Sequence, residues 1–255
     1  MKRRIAILMT CHNRVETTLE SLRRLLPQLS EEDKVFLVDD GSTDGTGERV
    51  RTEFSIVRVI EADGTLYWAK GMHKAWTTAV CEGEWEAYLW LNDDAMLTED
   101  AIEKMLSKND GRSLVVGELC DKTGKPVYGL NVNGWVNGNC VLVPKYVFEK
   151  VGMICGEYCH AWADSDYACR VKKAGCAILE GGNIGTTEWH PIRPQLAGKS
   201  LLERWHLLFD PKGWNLHDLW LYRRRNWSTL HAVVSVVHMF LHVLFSRIEH
   251  VECVE

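Results

Sequence analysis

The stretch EAYLWLNDDAML, residues 86–97, runs large apolar residues straight into Asn92, Asp93 and Asp94. A buried strand that ends in adjacent carboxylates needs a cation beside them, because burial disfavours ionised acids unless an opposite charge is close. Two further polar clusters follow apolar runs in the same way: TCHNR after Ile5–Met9, and DDGSTDG after KVFLVD. Any one of them could be an ordinary turn, since Asp, Gly, Ser and Asn are what turns are made of. A further acidic segment, HAWADSDYACRVKKAG, places Asp166 and Arg170 four residues apart, where they can pair on one helix face.

The elements that carry these clusters alternate. Ile5–Met9 reads as a strand and Val15–Leu26 as a helix with leucines at helical spacing. Lys34–Asp39 is a second strand, and DGSTDGT opens a helix towards Phe54. Ile56–Ile60 is a third strand, Lys70–Val80 a helix and Tyr88–Leu91 a fourth strand. A helix capped near Thr98 follows, with Glu99 and Asp100 in its first turn. Strands alternating with helices predict an α/β fold with a mostly parallel sheet and helices on its faces. Ligands of such sheets sit beyond the carboxyl ends of the strands. All three polar clusters lie at those ends and point to one crevice.

Composition narrows the class. The 255 residues, 46% of them hydrophobic, can bury one substantial core. A net charge of −5 gives no electrostatic case for nucleic acid. The apolar run after MKRR is too short for a signal segment and fits a first buried strand. Nine scattered cysteines without a CxxC favour a reducing cytoplasm over a disulfide framework. Cys155, Cys159 and His160 lack a paired second half for a zinc site.

In this order, VDDGSTDGT, LNDDA and WADSDYACRVKKAG resemble the inverting nucleotide-sugar glycosyltransferases of family 2, of bacterial type and with the GT-A, Rossmann-like fold. The similarity runs from about Ile5 to about Asn226, and NGNCVLVPKYVFEKVG, HPIRP, DPKGWNL and YRRRN extend it. The resemblance implies a GT-A domain over 1–200, with a nucleotide-binding half to about 97 and an acceptor and catalytic half from about 98. It also implies a helical C-terminal extension over 201–255.

It further implies residue roles. A nucleotide sugar leaves as a diphosphate, and a divalent cation bridging its oxygens stabilises the developing charge. Mn2+ or Mg2+ suits carboxylate oxygens, with Asp94 as direct ligand, Asp93 as ligand or ribose contact, and His190 reaching metal or diphosphate. Asn92 stands where many relatives have a first Asp. Thr10, Asp39 and Asp40 match nucleotide contacts, Asp39 foremost for the base. Asn13 and Arg14 either join them or cap the following helix. Trp68 and Gly71 shape the pocket. Asp164 matches the catalytic base, which in a single displacement takes the acceptor hydroxyl's proton. Ala163 replaces the usual Glu. Asp166 is either an acceptor contact or the structural partner of Arg170. Trp135, Asn137, Gly138 and Trp162 are candidates for the acceptor groove, aromatic faces packing well on sugar rings.

The tail, YRRRNWSTLHAVVSVVHMFLHVLFSRI, holds an apolar run of about seventeen residues, marginal against the twenty or so of a membrane span. Residues 227–248 read equally as an interfacial helix behind Arg223–Arg225, as a homodimer contact, or as a helix packed on its own domain. Cytoplasmic placement follows, free or peripheral at the inner face of the membrane. The implied activity is transfer from a UDP- or dTDP-sugar to a glycan or lipid-linked acceptor, in surface polysaccharide synthesis. A catalytically silent nucleotide-sugar-binding scaffold on the same fold is the alternative. A nucleotidyltransferase would need a glycine-rich phosphate loop, which MTCHNRVETT lacks.

Overall fold

The computed structural model describes residues 4–130, 136–187 and 196–245. They form two compact units: Met1–Cys159 with Ala163–His190, and His160–Trp162 with Pro191–Glu255. In the first unit β1 (Ile5–Cys11), α1 (Val15–Leu25), β2 (Lys34–Asp39), α2 (Thr46–Glu53), β3 (Val57–Glu61), α3 (Tyr67–Glu82) and β4 (Ala87–Leu91) follow in turn. They are succeeded by β5 (Ala95–Leu97), α4 (Ala101–Ser107), β6 (Leu114–Cys120), β7 (Pro126–Tyr128), β8 (Cys140–Pro144), α5 (Lys145–Val151), α6 (Ala163–Lys173) and β9 (Ile178–Thr187). The second unit contains α7 (Leu201–Leu207), α8 (Leu216–Asn226) and α9 (Thr229–Phe245).

One sheet runs in the order β3-β2-β1-β4-β8-β6-β9-β5, with β7 paired to β6. The first four strands pair in parallel, as the alternation of elements predicts. Beyond β4 the sheet is mixed: β8 lies antiparallel to both β4 and β6, and β9 is parallel to β6. The helix expected to be capped near Thr98 is α4, with Asp100 at its N-cap. Between it and the acidic pair lies β5, antiparallel to β9, which sequence reading does not anticipate. Asp93 and Asp94 therefore do not sit in the first turn of a helix.

Side-chain alternation decides which way the site residues point. On one face Ile7 and Met9 of β1, Leu37 of β2 and Leu89 and Leu91 of β4 pack with Leu19 and Leu22 of α1. On the other, Tyr88 and Trp90 of β4 meet Trp76 of α3, with ring centroids 5.1 and 5.7 Å apart. Tyr167 of α6 packs edge-on to Trp90 at 4.9 Å. Aromatic pairs of this kind add about 0.5–1.5 kcal/mol beyond their burial. This cluster fixes α6, the helix bearing Asp164, against β4, the strand leading into Asp93 and Asp94.

Candidate active site

The alternation of β4 continues past its end. Asn92 turns to the α3 face, where its Oδ1 accepts the Trp68 Nε1–H at 2.8 Å. Asp93 turns to the α1 face, where the Thr18 hydroxyl donates to it at 3.5 Å. Asp93 and Asp94 are both buried. The cation beside them is Arg14: its Nη1 lies 2.9 Å from Asp94 Oδ2 and 3.4 Å from Asp93 Oδ1. Burial pushes the Asp93 carboxyl up to about 7, with Arg14 pulling it down and Asp94 adding to the rise. Burial works against the Arg14 charge as well, but the two aspartates hold its pKa above the ordinary value. Two carboxylates converging on one cationic point is a donor set that suits a hard divalent cation. The residues fit the metal that the resemblance implies.

Arg14 occupies the N-cap position of α1 without a side-chain cap bond. Asp44 performs the cap, accepting the Val15 N–H at 3.1 Å. Asn13 also does not cap: its Oδ1 accepts the Thr43 N–H at 2.7 Å, and its own N–H donates to Ser42 Oγ at 2.9 Å. The capping alternative for Asn13 and Arg14 is thus corrected, because a neighbouring loop supplies the acceptor. Together these bonds tie the loop after β1 to the loop after β2.

Asp39 closes β2 and Asp40 follows it, with different duties. The Asp39 carboxylate accepts the Ser42 N–H at 3.0 Å. It also lies so close to Gly47 at the start of α2 that a Cβ there would collide with it. Asp40 accepts backbone N–H groups from Gly64, Leu66 and Tyr67 at 3.0, 3.0 and 2.8 Å. It anchors the turn that opens α3, so Trp68 comes to its place through Asp40. Gly71 faces Thr10, whose side chain would meet any added Cβ. Thr10 and Gly71 therefore form a close approach of α3 to β1.

Asp164 begins α6. Its Oδ2 accepts the Gly138 N–H at 3.1 Å and its Oδ1 the Ser165 N–H at 2.7 Å. Desolvation raises its pKa above the ordinary carboxylate value, and these backbone bonds oppose the rise. The next residue along from Gly138 is Asn139, which sequence reasoning does not single out. The Asn92 N–H donates to its carbonyl at 2.9 Å and the Asn92 amide donates to its Oδ1. Asn137 supports the same turn, accepting the Asn139 N–H at 3.1 Å. The Asn-Gly-Asn segment thereby links Asp164 to the residue just before Asp93. Its only advance signal is a pair of asparagines flanking glycine, directly before an apolar strand.

Asp166 is fully buried and paired with Arg170 Nε at 3.0 Å. Arg170 also donates to the Val151 and Met153 carbonyls at 2.8 and 2.9 Å. This geometry supports the structural alternative for Asp166. Trp162 belongs to the second unit, stacked on Tyr222 with centroids 4.8 Å apart. Trp135 and His190 lie outside the described residues. Among the described residues, the non-glycine positions with left-handed backbone are Asn13, Tyr67 and Trp162, at φ 51°, 54° and 68°. The first two immediately precede Arg14 and Trp68, and Trp162 precedes α6 in the chain. Strained backbone of this sort concentrates at functional sites.

Residues 6–156 match the family described as Glycosyl transferase family 2. No curated protein matches the chain. Among solved structures it is similar to a mannosyltransferase from Pyrobaculum calidifontis in complex with GDP-Man and Mn2+. That pair is 15% identical, with a TM-score of 0.59 over 95% of this chain and 70% of that one. It is also similar to TarS 1–349 from S. aureus, at 14% identity and a TM-score of 0.59, covering 96% and 73% of the two chains. Glucosyl-3-phosphoglycerate synthase from Mycobacterium tuberculosis, with Mn2+, UDP and glucosyl-3-phosphoglycerate, gives 13% identity and a TM-score of 0.55, covering 97% and 82%. At these identities the solved structures speak to the fold, while the family match spans more than half of the chain. The chain belongs to glycosyl transferase family 2 and is a glycosyltransferase of GT-A fold.

Proposed function

We propose that this enzyme is a metal-dependent, inverting glycosyltransferase that moves a sugar from a UDP- or dTDP-sugar to a hydroxyl of a glycan or lipid-linked acceptor. The observation that carries the reading is the link from Asp164 through Gly138 and Asn139 to Asn92. It sets a raised-pKa carboxylate and the acidic pair on one continuous scaffold. The similar structures with GDP-Man, UDP or Mn2+ support a nucleotide-sugar donor and a divalent cation.

In this reading Asp39 accepts the N–H of the base, with Thr10 beside it, and Trp68 walls the pocket where Asn92 holds it. Asp93 and Asp94 hold Mn2+ or Mg2+, which when bound stabilises charge on the departing diphosphate. Asp164 accepts the acceptor hydroxyl's proton as that oxygen attacks the anomeric carbon. One carboxylate and one displacement leave the anomeric configuration inverted. The donor half over about 1–97, the acceptor half over about 98–200 and the extension over 201–255 complete the proposal.

The extension carries a surface of its own. α9 buries Ala232, Val243 and Leu244, while Leu230, Val234, Val237, Leu241 and Phe245 stay exposed along one stripe. No described helix is long and apolar enough to cross a membrane. An in-plane contact with an anionic lipid surface, near Arg224 and Arg225, agrees with such a stripe and suits a lipid-linked acceptor.

Thermal-shift measurements with nucleotide sugars, with and without Mn2+, test the central reading, since a ligand of the folded state raises its apparent stability. Stabilisation by a UDP- or dTDP-sugar with Mn2+, lost in Asp94→Ala, is expected. Stabilisation without any release of nucleoside diphosphate would turn the reading towards a silent binding protein.

A further inference from the structure

Arg14 enters the acidic pair from the solvent side. Its side chain is 40% exposed, against 10% for Asp93 and 8% for Asp94. The loop that delivers it is fixed elsewhere: the Arg14 N–H donates to Thr46 Oγ1 at 3.3 Å, and Asn13 is clamped to Ser42 and Thr43. The guanidinium therefore stands at the end of a long, partly exposed side chain on a held backbone.

Two buried neighbouring carboxylates do not both stay ionised without compensation. Arg14 supplies it from within the chain. A divalent cation on Asp94 would supply the same compensation at the same oxygen, and two cations sharing that point repel each other. A nucleoside diphosphate brings fresh anionic oxygens to the site, and guanidinium pairs with phosphate oxygens as readily as with carboxylates, often through two parallel bonds.

We propose that Arg14 is a built-in counter-ion that exchanges partners. It holds Asp93 and Asp94 in the absence of ligands. It passes to the diphosphate oxygens when the divalent cation and the nucleotide arrive together. The proposal rests on the reading of Asp93 and Asp94 as the metal site. Its consequence is that metal alone must displace an ion pair and binds weakly, whereas metal with nucleotide binds with positive coupling.

The test is Mn2+ binding followed by electron paramagnetic resonance, on wild type and Arg14→Gln, without nucleotide and then with UDP. Without nucleotide, Arg14→Gln is expected to bind Mn2+ about tenfold more tightly than wild type, the resident competitor being gone. With Mn2+ present it should bind UDP about tenfold more weakly, the diphosphate having lost its cation. If Arg14→Gln does not fold, Arg14→Lys keeps a positive charge without the planar fork. It should bind Mn2+ more tightly than wild type by a smaller factor. Equal or weaker Mn2+ binding in the variant that folds overturns the exchange and leaves the metal site standing. Absence of protein-bound Mn2+ in wild type and variant alike, with or without UDP, overturns the metal reading and the exchange together.

Discussion

Asn92 and Asn139 hold each other twice, once through backbone at 2.9 Å and once through their side-chain amides. The same Asn92 receives the Trp68 Nε1–H. Asn92 is thus the joint between Trp68, the acidic pair and the turn that holds Asp164.

Placing an acid at this position tests that role. In Asn92→Asp a third carboxylate would stand beside two buried ones. Asn139 can turn its amide to keep the hydrogen bond, because its buried Nδ2 has no hydrogen-bond partner among the described residues. The cost then comes from added like charge. Urea unfolding in EDTA should show a loss on the order of 1–3 kcal/mol, the equivalent of one to two pKa units of repulsion, and Mn2+ should recover most of it. An unchanged midpoint in EDTA would mean that the joint tolerates charge freely.

Gly138 is a tight point of the turn. A Cβ there would press into the Trp68 ring and come within 3.3 Å of Asp164 Cβ. Gly138→Ala should lower stability by about 1–3 kcal/mol, the usual cost of overpacking, and reduce turnover more than donor affinity by displacing Asp164. The cost of Gly138→Ala should be smaller in a Trp68→Leu background than in the wild type, in a double-mutant cycle of denaturant titrations. An equal cost in both backgrounds would argue that Trp68 is not the obstacle.

The raised pKa of Asp164 has a sign in both stability and rate. Between the ordinary carboxylate value and the raised one, the folded protein binds more protons than the unfolded chain. Folding stability from this group is therefore full below the ordinary value and falls as pH rises through the raised one. Catalysis runs the other way, since the base must be ionised. A pH series should show stability declining and turnover rising across the same window, with a shallower stability slope in Asp164→Asn, where the raised Asp93 still contributes.

Much of this is legible in sequence, and the reasons are local. β1, β2 and β4 are apolar runs closed by polar clusters, and the parallel order places those ends together. What escapes is the pairing of residues with no local signal. Arg14 meets Asp94 across 80 positions and Asn92 meets Asn139 across 47. β8 enters the sheet between β4 and β6, out of chain order, and no periodicity announces such an insertion. β5 escapes as well, because it is short and gains its strand form from β9, far along the chain.

The stripe on α9 makes a separate prediction. Full-length protein should sediment with vesicles containing phosphatidylserine and much less with neutral ones. Val234→Glu combined with Leu241→Glu places two charges on the exposed stripe and should abolish the difference. A dimer seen by analytical ultracentrifugation, dispersed by the same changes and indifferent to vesicles, would assign the stripe to a second copy instead.

The most direct test of the central claim is donor turnover by Asp164→Asn. The substitution keeps the shape of the side chain and removes the carboxylate that takes the proton. Release of nucleoside diphosphate from the donor sugar is measured with Mn2+ in wild type and variant, alongside donor affinity. The account predicts near-normal donor binding with turnover lowered about 10²–10⁴-fold, the usual contribution of a general base. Normal binding with normal turnover in Asp164→Asn would contradict it and place the base elsewhere.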